Sequence, residues 1–222
     1  MLGNALPITL GGIAVYLLPQ RALYIPAHQL LVIADWHLGK IQHFRKNGIF
    51  IPQNTLANEL QQLTALTAVY PTRHVLFLGD LFHSSWNPEW DMLLTYLAER
   101  TSLTFSLIIG NHDIIDFERN GSGHLALYDQ WELDNQLIFT HQPMASVPEG
   151  FINVTGHVHP GYTIRAKGKQ RYRLPCFYRE RQTFILPAFG KYTGLHTVSP
   201  SEDAAIYLIL GDEVVHHRPR FR

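Results

Sequence analysis

The chain has 222 residues, 46% of them apolar, with 18 basic residues against 18 acidic ones and a single cysteine. That length suits one domain with a sizeable core, one cysteine excludes a disulfide framework, and no apolar run approaches the ~20 residues of a membrane span. The balanced charge points to no polyanionic partner overall, and a chain of this composition is expected in a reducing cytoplasm.

The opening MLGNALPITLGG lacks the basic and apolar regions of a signal peptide and reads as part of the fold. Residues 14–18 and 22–25 flank Pro19-Gln20-Arg21 as an early hairpin. LLVIA at 30–34 reads as a buried strand. Residues 53–69 place Leu56, Leu60, Leu63, Leu66 and Val69 at helical spacing, with Pro52 and Asn54 at the start and Pro71 past the end. VLFL at 75–78 is the next strand, 88–99 a second helix with Pro88 in its first turn, and FSLII at 105–109 a third strand. Strand, helix, strand, helix, strand is the order of an α/β sheet with right-handed crossovers.

The second half changes character. Strands are expected at 136–140, 151–155, 162–166, 171–177, 182–187 and 204–210, with short connections and a more antiparallel sheet. KGKQ at 167–170 fits a hairpin turn in which Gly168 takes a positive φ. The expected architecture is therefore two sheets packed face to face with helices outside.

The polar residues that stand out follow strand ends: Asp35 and His37, Asp80, Asn111-His112-Asp113, His141, then His157 and His159. Loops at the carboxyl ends of strands gather in one place in α/β sheets, and ligands bind there. Imidazole and carboxylate without thiolate suit Mn, Fe, Zn or similar ions. Asp35, His37, Asp80, Asn111, His141, His157 and His159 are seven candidate ligands, generous for one ion and suitable for two with a bridging carboxylate. Two ions ~3.5–4 Å apart are the usual arrangement for hydrolysing phosphate esters. In an extended chain Asp35 and His37 aim at one point and Trp36 turns away.

D-x-H, GD, GNHD, a lone His and GHxH, in that order across residues 35–159, resemble the motif set of the calcineurin-like metallophosphoesterases. The resemblance implies a four-layer αββα sandwich of two packed mixed sheets, with residues 1–222 forming one such domain. It also implies roles. Asp35, His37 and His159 hold one divalent ion, Asn111, His141 and His157 the other, and Asp80 bridges them. Mn2+ is the first expectation for both, with Fe or Zn as alternatives. His112 is not a ligand; it protonates the leaving oxygen, and Asp113 orients its ring.

GDLFHS at 79–84 is similar to the second motif of SbcD-type nucleases, which makes His83 a further site candidate that orients the scissile phosphodiester. LVIADWHLGK, GDLFHSSWNPEW, TGHVHPGY and ILPAFGKYTG resemble the ligase-associated DNA damage response endonuclease family (PdeM). That resemblance implies a DNA phosphodiesterase active in repair, with an ATP-dependent DNA ligase and a helicase as partners. No helical capping insertion of the SbcD type is expected, since some 12 residues follow the last expected strand.

Seven of the 18 basic residues fall within residues 165–181. Alternating charge on an exposed strand discourages edge pairing; the same charges also suit a phosphate backbone beside the metal site. Arg165, Lys167, Arg171 and Arg173, with Lys40, are therefore candidate DNA-phosphate contacts, and Arg45 and Lys46 extend them. Trp86 and Trp90 read either as anchors for the second helix or as stacking partners for bases. His28, His43, His74, His124, His196, His216 and His217 read as surface or turn residues. Two other functions remain open. One is a dimetal phosphatase or phosphodiesterase acting on a nucleotide or another small phosphoester. The other is a non-catalytic binding module, disfavoured because every ligand position and His112 are retained.

Overall fold

Period-two burial of the first strands builds a seven-stranded sheet. Strands β1 (Leu6–Leu10), β2 (Ile13–Leu18), β3 (Ala22–Ile25) and β4 (Leu30–Ile33) pair antiparallel in succession; β4 then pairs parallel with β5 (His74–Leu78), β5 with β6 (Thr104–Ile108) and β6 with β7 (Ala126–Tyr128). This computed structural model describes residues 4–40, 55–83, 88–114, 123–165 and 167–219. Leu31, Ile33, Val75 and Phe77 face outward into a cluster with helix α1 (Thr55–Val69) and helix α2 (Pro88–Ala98). Leu30, Val32, Leu76 and Leu78 face the other way, against the second sheet. Burial on both faces is what parallel strands require.

The second sheet holds nine strands: β8 (Gln130–Leu133), β9 (Leu137–Thr140), β10 (Ile152–Thr155), β11 (Pro160–Arg165), β12 (Arg171–Glu180), β13 (Thr183–Ile185), β14 (His196–Thr197), β15 (Ala205–Leu210) and β16 (Glu213–His217). Phe139, Val154, Phe177 and Phe184 interdigitate with the first sheet. Each such buried side chain contributes about 1.5–3 kcal/mol. Two packed mixed sheets in an α/β sandwich are the architecture expected from the sequence. Both described helices lie on the first sheet. The opposite face of the second sheet is covered by Val158, Tyr162, Ile164, Leu174 and Val198, packed on Cys176, Tyr178, Ile206 and Leu208.

Several expectations change. The centre of the second sheet is parallel, since β10 pairs parallel with both β9 and β13. The β11–β12 excursion serves as the crossover between β10 and β13, and a contiguous hairpin pattern conceals that in the sequence. Strand β12 is longer than expected: its first half pairs with β11 and its second half with β13 and β15. Strands β1, β7, β8, β14 and β16 lie outside the expected set, and β16 occupies part of what reads as a tail. The stripe of α1 stops at Leu66, with Val69 59% exposed, and Glu59 is buried on its inner face. Among the described residues no helix is long and apolar enough to cross a membrane.

Candidate metal centre

The C-terminal ends of β4, β5, β6, β9 and β10 all lead into this centre. Past β4 the chain does not continue extended: Asp35 and His37 have φ of 53° and 55°. The two side chains converge because both residues are left-handed, which corrects the alternating-strand reading. The backbone stays tied to the next loop. Asp35 N–H donates to Gly79 O at 3.1 Å, His37 N–H to Asp80 O at 2.9 Å, and Leu38 N–H to Leu81 O at 2.9 Å. Trp36 is buried away from the ligands, its ring 5.1 Å from that of Phe189.

Two buried carboxylates from the helices fix this loop. Glu59 of α1 accepts Trp36 Nε1–H at 2.8 Å and Lys191 N–H at 3.0 Å. Glu89 of α2 accepts Gly39 N–H at 2.5 Å. Burial pushes the Glu59 carboxyl above its usual value, and the hydrogen bonds from Lys191 and Trp36 offset part of that. Sequence reasoning missed both residues. The available signal was an acid among the leucines of α1's apolar face.

Asp80 follows Gly79, whose φ is 76° and whose missing Cβ leaves room for the His141 ring. Any other residue there would strike that imidazole. Asp80 is itself left-handed, as are His157 and His159, at φ of 48°, 66° and 52°. Five of the seven candidate ligands thus occupy a region that costs about 1–3 kcal/mol per residue and is concentrated at functional sites. Asp and His tolerate it better than most.

In GNHD, Asn111 Oδ1 lies 3.0 Å from His141 Nε2. His112 N–H donates to Asp80 Oδ1 at 2.9 Å. Its ring lies 5.4 Å from that of His37 and 5.5 Å from that of His83, nearly parallel to the latter. Among the described residues no hydrogen bond joins Asp113 to this ring, the contact expected of it. Its buried carboxylate accepts Phe82 N–H at 2.9 Å and Gly110 N–H at 2.8 Å, joining the GD and GNHD loops. Burial raises its pKa to about 6, against those two hydrogen bonds.

His141 is held by polar residues of β10. Thr155 Oγ1–H donates to His141 O at 2.6 Å. Asn153 Nδ2–H donates to Thr140 Oγ1 at 2.8 Å, and its Oδ1 accepts Met144 N–H at 3.0 Å. His157 is placed by Asp35, whose two carboxylate oxygens accept its backbone N–H at 3.0 and 2.9 Å. Gly156 packs on the same carboxylate; a Cβ there would come within 2.6 Å of Asp35 Oδ2.

The ligand atoms fall into two groups, Asp35, His37 and His159, and Asp80, His141 and His157. His37 Nε2 lies 3.1 Å from His159 Nε2, and His141 Nε2 lies 3.1 Å from His157 Nδ1. Asp80 faces both groups: Oδ2 is 3.7 Å from His37 Nε2 and Oδ1 is 3.3 Å from His141 Nε2. Metal–ligand bonds of ~2.0–2.2 Å place neighbouring ligand atoms about 3–3.5 Å apart, so the spacing fits an ion in each group. The charge fits as well. Asp35 and Asp80 are 0% and 2% exposed, and their ion-pair partners among the described residues are imidazoles alone. Buried carboxylates need compensating positive charge. Burial holds the His37 pKa down, to about 3, so its ring is neutral, as a ligand must be. At Asp80, burial pushes the pKa up, but the His141 hydrogen bond and charge and the His112 N–H outweigh it and hold it near 2.

The other candidates scatter. His83 stands beside His37 and His112. Lys40 is half-buried near Asp80, whose charge opposes the lowering of its pKa by burial. Arg165, Arg171 and Arg173 are exposed on the β11–β12 ribbon, while Arg179, near the far end of β12, and Arg181, just past that end, lie about 20 Å or more away along the strand. The seven basic residues are therefore not one patch. The Lys167 side chain, Arg45, Lys46, His43 and Trp86 lie outside the described residues. Trp90 is fully buried, its ring 4.4 Å from that of Phe82, which makes it an anchor and excludes base stacking.

Two packed mixed sheets with His and Asp ligands at one edge define a metal-dependent phosphoesterase. The chain belongs to the calcineurin-like phosphoesterase family, whose model matches residues 28–221. Among solved structures it is similar to the Pseudomonas putida nuclease MPE, with 29% identity and a TM-score of 0.77 over 96% of this chain and 100% of that one. It also matches Yfce, a phosphoesterase from Escherichia coli, at 14% identity and a TM-score of 0.42 over 82% of this chain and 88% of that one. No curated protein sequence matches the chain.

Proposed function

We propose that this chain is a dinuclear-metal phosphodiesterase that cuts DNA. The observation that carries the reading is Asp80, which offers one carboxylate oxygen to each of two ligand groups. Two divalent ions, Mn2+ first among them, would be held by Asp35, His37, His159 and Asp80 and by Asp80, Asn111, His141 and His157. Such ions, when bound, supply positive charge for the phosphoryl oxygens and an activated water. His112, at the edge of the site, gives a proton to the leaving oxygen. His83 stacks beside that ring and positions it, and Asp113 braces the loop that carries it. The choice of DNA is supported by the full-length similarity to a nuclease. A role in DNA repair in the cytoplasm, beside a DNA ligase and a helicase, belongs to the same reading.

The test compares Mn-loaded protein on bis-p-nitrophenyl phosphate, p-nitrophenyl phosphate and labelled single- and double-stranded DNA. Hydrolysis of the diester and of DNA, with little of the monoester, supports the reading. A preference for the monoester, or for a nucleotide over DNA, replaces it with a small-molecule phosphoesterase.

A further inference from the structure

The β11–β12 ribbon has two unlike faces. In its register Arg165 lies opposite Arg171, and Thr163 opposite Arg173. Side chains alternate along a strand, so the three arginines share one face and Tyr162, Ile164 and Leu174 share the other. The apolar face packs on the third core cluster. The basic face is exposed. Arg165 and Arg171 oppose each other directly, which destabilises a sheet. Residues 150–179 contain no Asp or Glu. Among the described residues none of the three arginines has an ion-pair partner.

The ribbon also has a fixed relation to the metal centre. Strand β11 begins at Pro160, directly after the ligand His159. Arg173 Nη1–H donates to Leu195 O at 3.4 Å. The chain around Leu195 leads back to Gly190, whose N–H donates to Asp35 O. At ~3.3 Å per residue the Arg165–Arg171 pair stands ~17 Å along the ribbon from Pro160, the residue after His159. That is the span of about five phosphates at ~3.4 Å each along a stacked strand.

We propose that this face is a track for the phosphate backbone of the strand being cut, engaged about five nucleotides from the scissile bond. The proposal rests on the reading of the chain as a DNA phosphodiesterase and adds where the substrate must be long. A dinucleotide at the metal centre cannot reach the track.

Chain length tests it. The Mn-loaded full chain is assayed on oligodeoxynucleotides from a dinucleotide to a strand several times the length of the track, with bis-p-nitrophenyl phosphate as the short reference. kcat/KM is expected to climb about tenfold or more as the strand comes to span the track, then level. In Arg171→Ala/Arg173→Ala the ratio of long-strand to small-diester kcat/KM falls about tenfold. The salt slope becomes shallower by about two, one for each lost phosphate contact. Arg165→Glu separates the track from a structural role: it places opposite charges across the ribbon, so Tm holds or rises while long-strand cleavage drops. Arg179→Ala/Arg181→Ala, far along β12, leaves the length dependence in place. A rate independent of length, or an Arg165→Glu enzyme that cuts long strands as well as the parent, overturns the track and leaves the DNA reading standing. A parent that hydrolyses the small diester and cuts DNA of no length overturns the DNA reading and the track together.

Discussion

The two ligand groups are held by different means. Asp35 and His37 ride on a loop fixed from outside the sheet, by carboxylates of α1 and α2 that accept Trp36 and Gly39 N–H groups. His141 and His157 are fixed from within, by Thr155 and Asn153 of β10 and by Asp35 itself. The difference follows from what lies behind each loop. The first sheet has helices at its back, which can send long acidic side chains inward. The second has no described helix there, so short polar side chains in the middle of a strand do the work. The supports from Glu59 and Glu89 on one side and from Thr155 and Asn153 on the other are separable; Asp80 faces both groups, and Asp35 ties the first to the second through the His157 N–H.

Asp80→Ala should produce the largest effect, because it removes the group that faces both clusters. Turnover of bis-p-nitrophenyl phosphate is expected to fall by more than ~10³-fold, the equivalent of several kcal/mol of lost charge stabilisation. Retention of a tenth of the activity would remove Asp80 from its shared role. His112→Ala is expected to lower kcat by ~10²–10⁴-fold with metal content unchanged, as measured by elemental analysis. Loss of metal in that variant would make His112 a ligand instead.

Smaller effects probe each side alone. Thr155→Val removes one of the two donors to the His141 carbonyl, the Gly156 N–H remaining, at a cost of about 0.5–1.5 kcal/mol, and Glu59→Gln sets an amide against two N–H donors at about 1–3 kcal/mol. Chelator titration should show the first variant loosening one ion and the second the other. Equal loosening of both ions by either variant would mean that the two sides are one coupled unit. The smallest effect is one of pH. The Glu59 carboxyl is raised on folding, so the folded state binds its proton more tightly than the unfolded chain does. Its contribution to stability is complete below the usual glutamate value of 4.5 and is lost as pH rises through the raised value. The Tm of the parent relative to Glu59→Gln should fall across that window; an unchanged difference would show that Glu59 binds its proton equally in the folded and unfolded states.

The candidate metal ligands were legible because each motif pairs a buried strand with a polar residue just past its end. LLVIA before Asp35 and VLFL before Gly79-Asp80 are such pairs, and both strands form as expected. The Asp113 contact was illegible because a carboxylate next to a histidine reads as its orienting partner, and only the three-dimensional loop reveals two backbone N–H donors nearer to hand. Glu59 was illegible because helical spacing marks a face without saying which positions on it meet a polar loop. The parallel pairing of β9, β10 and β13 was hidden because strand pairing is non-local, and a run of short strands carries no sign of which neighbours it will find.

By itself the sequence determined the chemistry, because ligand type and motif order specify a set of nitrogen and oxygen donors without reference to coordinates. The tertiary structure decided how those donors point and what supports them. It set Asp35, His37, Asp80, His157 and His159 in left-handed backbone. It divided the basic stretch between the two ends of β12. It also brought Glu59 and Glu89 from distant helices onto one loop. Backbone dihedrals and long-range contacts are consequences of packing, and packing is fixed only when the whole chain has found its neighbours.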